Sequence, residues 1–131
     1  MLSLVTRSSR LAAARPALSR ALSKASAVKV MTVEDEFETT IASDSLSVVY
    51  FTAAWCGPCR MISPVFEMIA EQHSDATFLK VDVDEQAETA AAAQVSAMPT
   101  FQFYKSGKLL DKIVGADVEK LKIYTEAHSK A

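Results

Sequence analysis

Apolar positions along this chain follow two kinds of spacing, and the order in which they alternate predicts the elements. Val48-Val49-Tyr50-Phe51 and Thr77 to Val83 are short β-rich runs with no turn residue inside, the pattern of strands buried on both faces. Between them Ile62, Val65, Phe66 and Ile69 recur at helical spacing from Cys56 to about Gln72, with Pro64 expected to kink that helix. Ahead of them, Val28 to Met31 alternates weakly. Thr32, followed three residues later by Asp35, predicts a capped helix to about Ala42 carrying the apolar pair Phe37 and Ile41. Glu88 to Gln94, with four consecutive alanines, predicts a short helix. Thr100 to Tyr104 and Leu109 to Val114 alternate on either side of Ser106-Gly107, which reads as an antiparallel hairpin. A closing helix from Asp117 to about Ala127 is marked by Val118, Leu121 and Tyr124 or Thr125. This order predicts an α/β domain whose mixed sheet is covered by helices on both faces.

Composition bounds the function. The 131 residues leave room for one domain. Half the residues are apolar, but 21 are alanine and no run approaches the ~20 residues of a membrane span. The net charge of −2 is too weak to suggest a nucleic-acid binder, yet it hides an asymmetry. Residues 1–29 hold six basic side chains and no acid, so residues 30–131 carry −8.

Residues 1–27 are rich in Ser, Ala and Arg and lack Asp and Glu, the composition of an organellar transit peptide. Wound as a helix, Leu4, Leu11, Leu18 and Leu22 share one face and Arg10, Arg20 and Lys24 the other, although Arg15 is misplaced and Pro16 interrupts the winding. A secretory signal would need an unbroken apolar stretch, which the recurring arginines deny. The expected address is the mitochondrial matrix, with the chloroplast as alternative, and the folded domain is expected over 28–131.

Only two cysteines occur, and they stand in Trp55-Cys56-Gly57-Pro58-Cys59, where a buried strand ends and a helix begins. Unpaired N–H groups and the dipole of a helix's first turn favour negative charge, so Cys56 is expected to ionise readily and to be reachable. Cys59, one turn on, is expected to be the more buried. Pro58 fixes φ inside the first turn, and Gly57 keeps side chains away from Cys56. Zinc would need two further ligands, and His73 and His128 lie at spacings unlike those of zinc fingers, so no metal is expected. The two histidines read as solvated, Met61 and Met68 as core fillers, and Asp82, Asp84, Glu85 and Glu88 as a solvated strand end and helix start.

These residues resemble the thioredoxin family over essentially all of 28–131. WCGPC at 55–59 carries the resemblance, supported in order by Pro64, Lys80, Met98-Pro99-Thr100, Gly107 and Gly115. Phe51-Thr52-Ala53-Ala54, Ile62-Ser63-Pro64 and Gly115-Ala116-Asp117-Val118 look like the o-type mitochondrial thioredoxins of plants. The resemblance implies a thioredoxin fold with five strands and four helices, and a thiol-disulfide oxidoreductase that reduces protein disulfides without a bound cofactor. It implies Cys56 as nucleophile and Cys59 as resolving thiol. It also implies a cis Pro99 facing the cysteines, and an apolar docking surface of Trp55, Gly57, Pro58, Met98 and Gly115. One position departs: many thioredoxins have a buried Asp six residues before the first cysteine, and Tyr50 stands here. The proton of Cys59 is then expected to leave to water, helped by the Lys80 amine.

With no nucleotide-binding glycine motif, the chain cannot draw electrons from NADPH itself. The resemblance implies an NADPH-dependent thioredoxin reductase as donor and targets such as peroxiredoxins, with the protein a monomer binding neither nucleic acid nor membrane. The rival reading is a redox sensor or scaffold, such as a dimer sharing an iron–sulfur cluster through Cys56. A disulfide-forming oxidant or isomerase fits poorly with a reducing compartment.

Overall fold

The computed structural model describes residues 26–130. The leader expected over 1–27 lies outside them up to residue 25. The described elements are β1 (Val28–Val30), α1 (Glu36–Ile41), β2 (Ser47–Thr52), α2 (Gly57–Gln72), β3 (Thr77–Asp82), α3 (Ala87–Ala92), β4 (Thr100–Lys105), β5 (Lys108–Val114) and α4 (Val118–Lys130). The five strands form one sheet in the order β1-β3-β2-β4-β5. β1, β3 and β2 run parallel, β4 lies antiparallel to β2, and β5 closes a hairpin on β4.

β2 is central and every one of its residues is buried, as an apolar run without alternation requires. Its even-numbered residues face one helical layer and its odd-numbered residues the other, because successive side chains point to opposite faces. Val48 and Tyr50 pack with Phe78, Phe101, Phe103 and Ile113 against Cys59, Ile62, Phe66 and Ile69 of α2 and Leu121 of α4. Val49 and Phe51 pack with Leu79, Val81 and Tyr104 against Phe37 of α1. Burying each such side chain contributes about 1.5–3 kcal/mol, so this three-layer arrangement holds both ends of β2 rigidly.

Three local expectations change. α1 begins at Glu36, not near Thr32, because the Glu36 carboxylate accepts the backbone N–H groups of Thr32 (3.0 Å) and Val33 (3.4 Å) and folds residues 32–35 into a turn. Those bonds, with Lys29 beside them, hold the Glu36 pKa below its ordinary value. Pro64 lies within α2, as the spacing from Cys56 to Gln72 implied, and sits on its exposed side. Met61 and Met68 are not core fillers: they are 79% and 42% exposed, because Ile62, Phe66 and Ile69 take the inward stripe and leave them outside it. His128 is not simply solvated, since its Nε2 lies 3.3 Å from Asp111 Oδ2 and its ring packs beside Phe103 and Tyr124. His73 ends α2 as its C-cap and approaches Ser129.

Candidate active site

Cys56 is the N-cap of α2, in extended conformation, with Pro58 in the first turn. Its Sγ accepts the Cys59 backbone N–H at 3.2 Å, so one of the orphan donors of the helix start points at this sulfur. The two cysteines form a disulfide across a Cα–Cα distance of 5.3 Å. Both are covered in this oxidised form, Cys56 being 4% and Cys59 2% exposed. The difference in access expected between them is therefore small while the bond is closed. Exposed Trp55, Gly57 and Pro58 border the bridge.

The strand register determines which other residues gather here. Phe51 pairs with Thr100, so the start of β4 lies beside the end of β2 and brings Met98 and Pro99 to the motif's end of the sheet. The Met98–Pro99 bond is cis, Pro99 is buried, and Met98 packs against the core cluster that contains both cysteines. The Gly115 N–H donates to the Pro99 carbonyl at 2.8 Å, and its φ of +108° suits glycine alone among common residues. Thr52 pairs with Asp82 in parallel register, which carries the loop after β3 to the same end.

That loop supplies a residue that sequence reasoning missed. The Trp55 indole is 65% exposed, and its Nε1–H donates to Asp84 Oδ2 at 2.9 Å. Asp82 Oδ1 in turn accepts the N–H groups of Asp84 (2.9 Å) and Glu85 (3.3 Å), bending the loop so that Asp84 reaches the indole. The acidic cluster is thus partly structural. The parallel register of β2 and β3, which ends with Thr52 beside Asp82, is the signal that puts the two loops next to each other.

Tyr50 lies wholly buried beneath the bridge, stacked on Phe101 at 4.8 Å between centroids and tilted against Phe66 at 5.0 Å. Its hydroxyl donates to the Cys59 carbonyl at 3.0 Å and lies 2.8 Å from Ser63 Oγ. A phenol has one proton, so Ser63 is the donor in the second contact. Lys80 pairs with Tyr50 in register and is half-buried. It lines a cleft of about 290 Å³ shared with Cys59, Arg60, Ser63 and Asp82. Among the described residues no group of three His, Cys, Asp or Glu side chains could hold a metal ion, and no helix is long and apolar enough to cross a membrane.

A disulfide at a helix N-terminus, with a backbone donor on the first sulfur and an open apolar rim, is built to exchange. The thioredoxin family model matches residues 28–127. The chain belongs to the thioredoxin family. It is 48% identical over 101 residues to thioredoxin-1 of Schizosaccharomyces pombe, an alignment covering 77% of this chain and 98% of that one. The structure of oxidised thioredoxin O2 from Arabidopsis thaliana superposes with a TM-score of 0.73 at 43% identity, covering 79% of this chain and 96% of that one. A chain from a study of thiol resolution in yeast mitochondrial 1-Cys peroxiredoxin via the glutathione and thioredoxin systems matches with a TM-score of 0.73 at 34% identity, covering 79% and 99%. Family and bridge together make this thioredoxin a thiol-disulfide oxidoreductase, a protein-disulfide reductase that cycles between the Cys56–Cys59 dithiol and disulfide.

Proposed function

We propose that this thioredoxin serves the mitochondrial matrix, with Cys56 as nucleophile and Cys59 as resolving thiol. The observation that carries the assignment is the Cys59 N–H donated to Cys56 Sγ: that bond strengthens when the sulfur is charged, so it favours the thiolate at position 56. In the forward cycle the Cys56 thiolate attacks a target disulfide, forming a mixed disulfide and expelling one target thiolate. The Cys59 thiolate then attacks Cys56 Sγ, the internal bond forms, and the second target sulfur leaves. Two electrons pass to the target, and both target sulfurs end as thiols after taking protons from water. Trp55, Gly57, Pro58, Met98, Pro99 and Gly115 dock the target segment around the bridge.

Cys59→Ser is expected to trap a covalent adduct with a disulfide target while Cys56→Ser traps none; equal trapping by both rejects the roles. The electron donor is an NADPH-dependent thioredoxin reductase, tested by insulin reduction that requires both proteins. Peroxiredoxins are proposed targets, supported by the leader and by the subject of the yeast study whose chain matches this one. The leader's basic, acid-free composition and the likeness to thioredoxin O2 support an o-type matrix protein with its domain starting near residue 28. A fluorescent fusion of residues 1–30 is expected in mitochondria; retention in the cytosol rejects the address, and plastid import selects the alternative.

A further inference from the structure

With the bridge closed, the sulfur atoms of the described residues differ sharply in access. Cys56 and Cys59 are bonded to each other and covered, Met31 is 2% exposed, and half-buried Met98 packs against the core cluster. Met61, by contrast, is 79% exposed and Met68 42%. Both belong to an apolar line along α2: Gly57, Met61, Pro64 and Met68 are spaced i, i+4, i+7 and i+11, which places them on one helix face, and all four are exposed. Cys59, Ile62, Phe66 and Ile69 take the buried face. The exposed line starts at the rim of the bridge, because Gly57 opens the helix directly after Cys56. Met61 follows one turn on, about 6 Å along the helix axis, whereas Met68 lies about 10 Å further away. The neighbouring cation, Arg60, is engaged elsewhere, its Nη2 donating to the Ala54 carbonyl at 3.2 Å.

We propose that Met61 is an oxidation site on the docking rim: a hydroperoxide converts its thioether to the sulfoxide, and the sulfoxide weakens target docking while leaving the bridge as it is. The inference rests on the reading that targets dock around Trp55, Gly57, Pro58 and Met98. In the modification the Met61 sulfur attacks one peroxide oxygen, the S–O bond forms and the O–O bond breaks. The proton on the attacked oxygen passes through water to the departing oxygen. The thioether loses two electrons, and the hydroperoxide is reduced to an alcohol, or to water where hydrogen peroxide is the oxidant. The closed, covered disulfide offers no thiolate to compete, so the exposed thioether meets the oxidant first. Before oxidation the unbranched, polarizable side chain can follow target segments of different shape. Afterwards its polar oxygen must stay solvated, and it resists being covered by an incoming apolar segment. Met68 is less exposed and stands well away from the rim, so its sulfoxide should form more slowly and leave docking untouched.

The test treats the full chain, bridge closed, with hydrogen peroxide and follows each methionine by mass mapping of peptides. Met61 should gain an oxygen first, Met68 more slowly, and Met31 and Met98 last. Insulin reduction with the reductase in excess should then show KM raised about fivefold, the modest loss of a rim contact, with kcat held. Treatment with the two methionine sulfoxide reductases, one for each epimer, should return KM to its starting value. Met61→Leu should show no rise on peroxide treatment, and Met68→Leu should keep the rise. Met61→Gln, polar without any oxidant, should carry a raised KM from the start. The proposal is overturned by an unmoved KM with Met61 fully oxidised, by a rise that persists in Met61→Leu, or by oxidation of Met31 or Met98 ahead of Met61. An untreated protein that fails to reduce insulin overturns the docking reading and this inference with it. An active protein whose KM ignores the Met61 sulfoxide overturns this inference alone.

Discussion

Replacing Tyr50 tests how this thioredoxin supports its bridge without a buried carboxylate. Tyr50→Phe keeps the ring between Phe101 and Phe66 and removes only the hydroxyl, with its bonds to the Cys59 carbonyl and to Ser63. Each bond contributes about 1 kcal/mol net, and half-buried Ser63 can turn to another acceptor, so the loss should be about 1–2 kcal/mol. For a domain of this size that lowers Tm by roughly 5–15 °C. Tyr50→Ala also empties the aromatic site and should cost about 3–5 kcal/mol. Tyr50→Asp puts a carboxyl group into that same apolar layer. Burial raises its folded-state pKa above the unfolded value, so the folded state is best supported below about pH 4 and loses stability as pH rises through the raised pKa. Urea unfolding of the oxidised proteins at neutral and acid pH measures all three. The reasoning fails if Tyr50→Asp matches the parent at neutral pH, or if Tyr50→Phe costs as much as Tyr50→Ala. It fails equally if Tyr50→Phe shifts the Cys59 titration, since a hydroxyl ending on a carbonyl has no direct hold on the sulfur.

Asp84→Ala should free the Trp55 indole, losing about 1 kcal/mol of positioning and raising KM for insulin about fivefold with stability almost unchanged. Steady-state kinetics and the fluorescence of this single tryptophan follow it, and an unchanged KM argues against a docking role. Gly57→Ala places its Cβ where, its chain neighbours and its own helix backbone aside, no atom lies within 4 Å, so stability should hold while target reduction slows by steric hindrance of docking; Gly115→Ala, at φ +108°, should instead destabilise by about 1–3 kcal/mol. Glu36→Gln should weaken the turn before α1 at neutral pH. Because the Glu36 pKa is depressed by the Thr32 and Val33 N–H groups and Lys29, its contribution is present above the ordinary value of 4.5 and lost as pH falls through the depressed value. The parent and variant urea midpoints should therefore converge in acid.

Which features could be read from sequence follows from how local their causes are. β2 was evident because an unbroken apolar run has only one economical place, the middle of a sheet with helices on both faces. The position of the cysteines at a strand-to-helix junction was equally local, since Pro58 and the spacing of Ile62, Phe66 and Ile69 start the helix just after Cys56. The start of α1 is not legible in this way because its decisive group, the Glu36 carboxylate, acts backward along the chain on the N–H groups of Thr32 and Val33 and folds them into a turn ahead of the helix. Met61 and Met68 cannot be placed from their own chemistry, because methionine suits a core as well as an exposed rim; only the helix's rotation against the sheet distinguishes them.

The Trp55–Asp84 bond and the Cys59 cleft are of another kind, since both depend on parallel register between β2 and β3, across about thirty positions of sequence. A slip of one residue would turn Lys80 and Asp82 to the other face, behind Val81 and away from α2. The register that buries Phe78 against α2 and Leu79 and Val81 on the opposite layer thus also sets which charged side chains line the cleft beside Cys59. A core substitution that shifts β3 should consequently alter disulfide exchange at the bridge even with every motif residue intact. Measuring single-turnover resolution in Val81→Ala, beside its stability, separates this coupling from simple unfolding: loss of stability with an unaltered rate in the folded fraction would show that the cleft is held independently of the core.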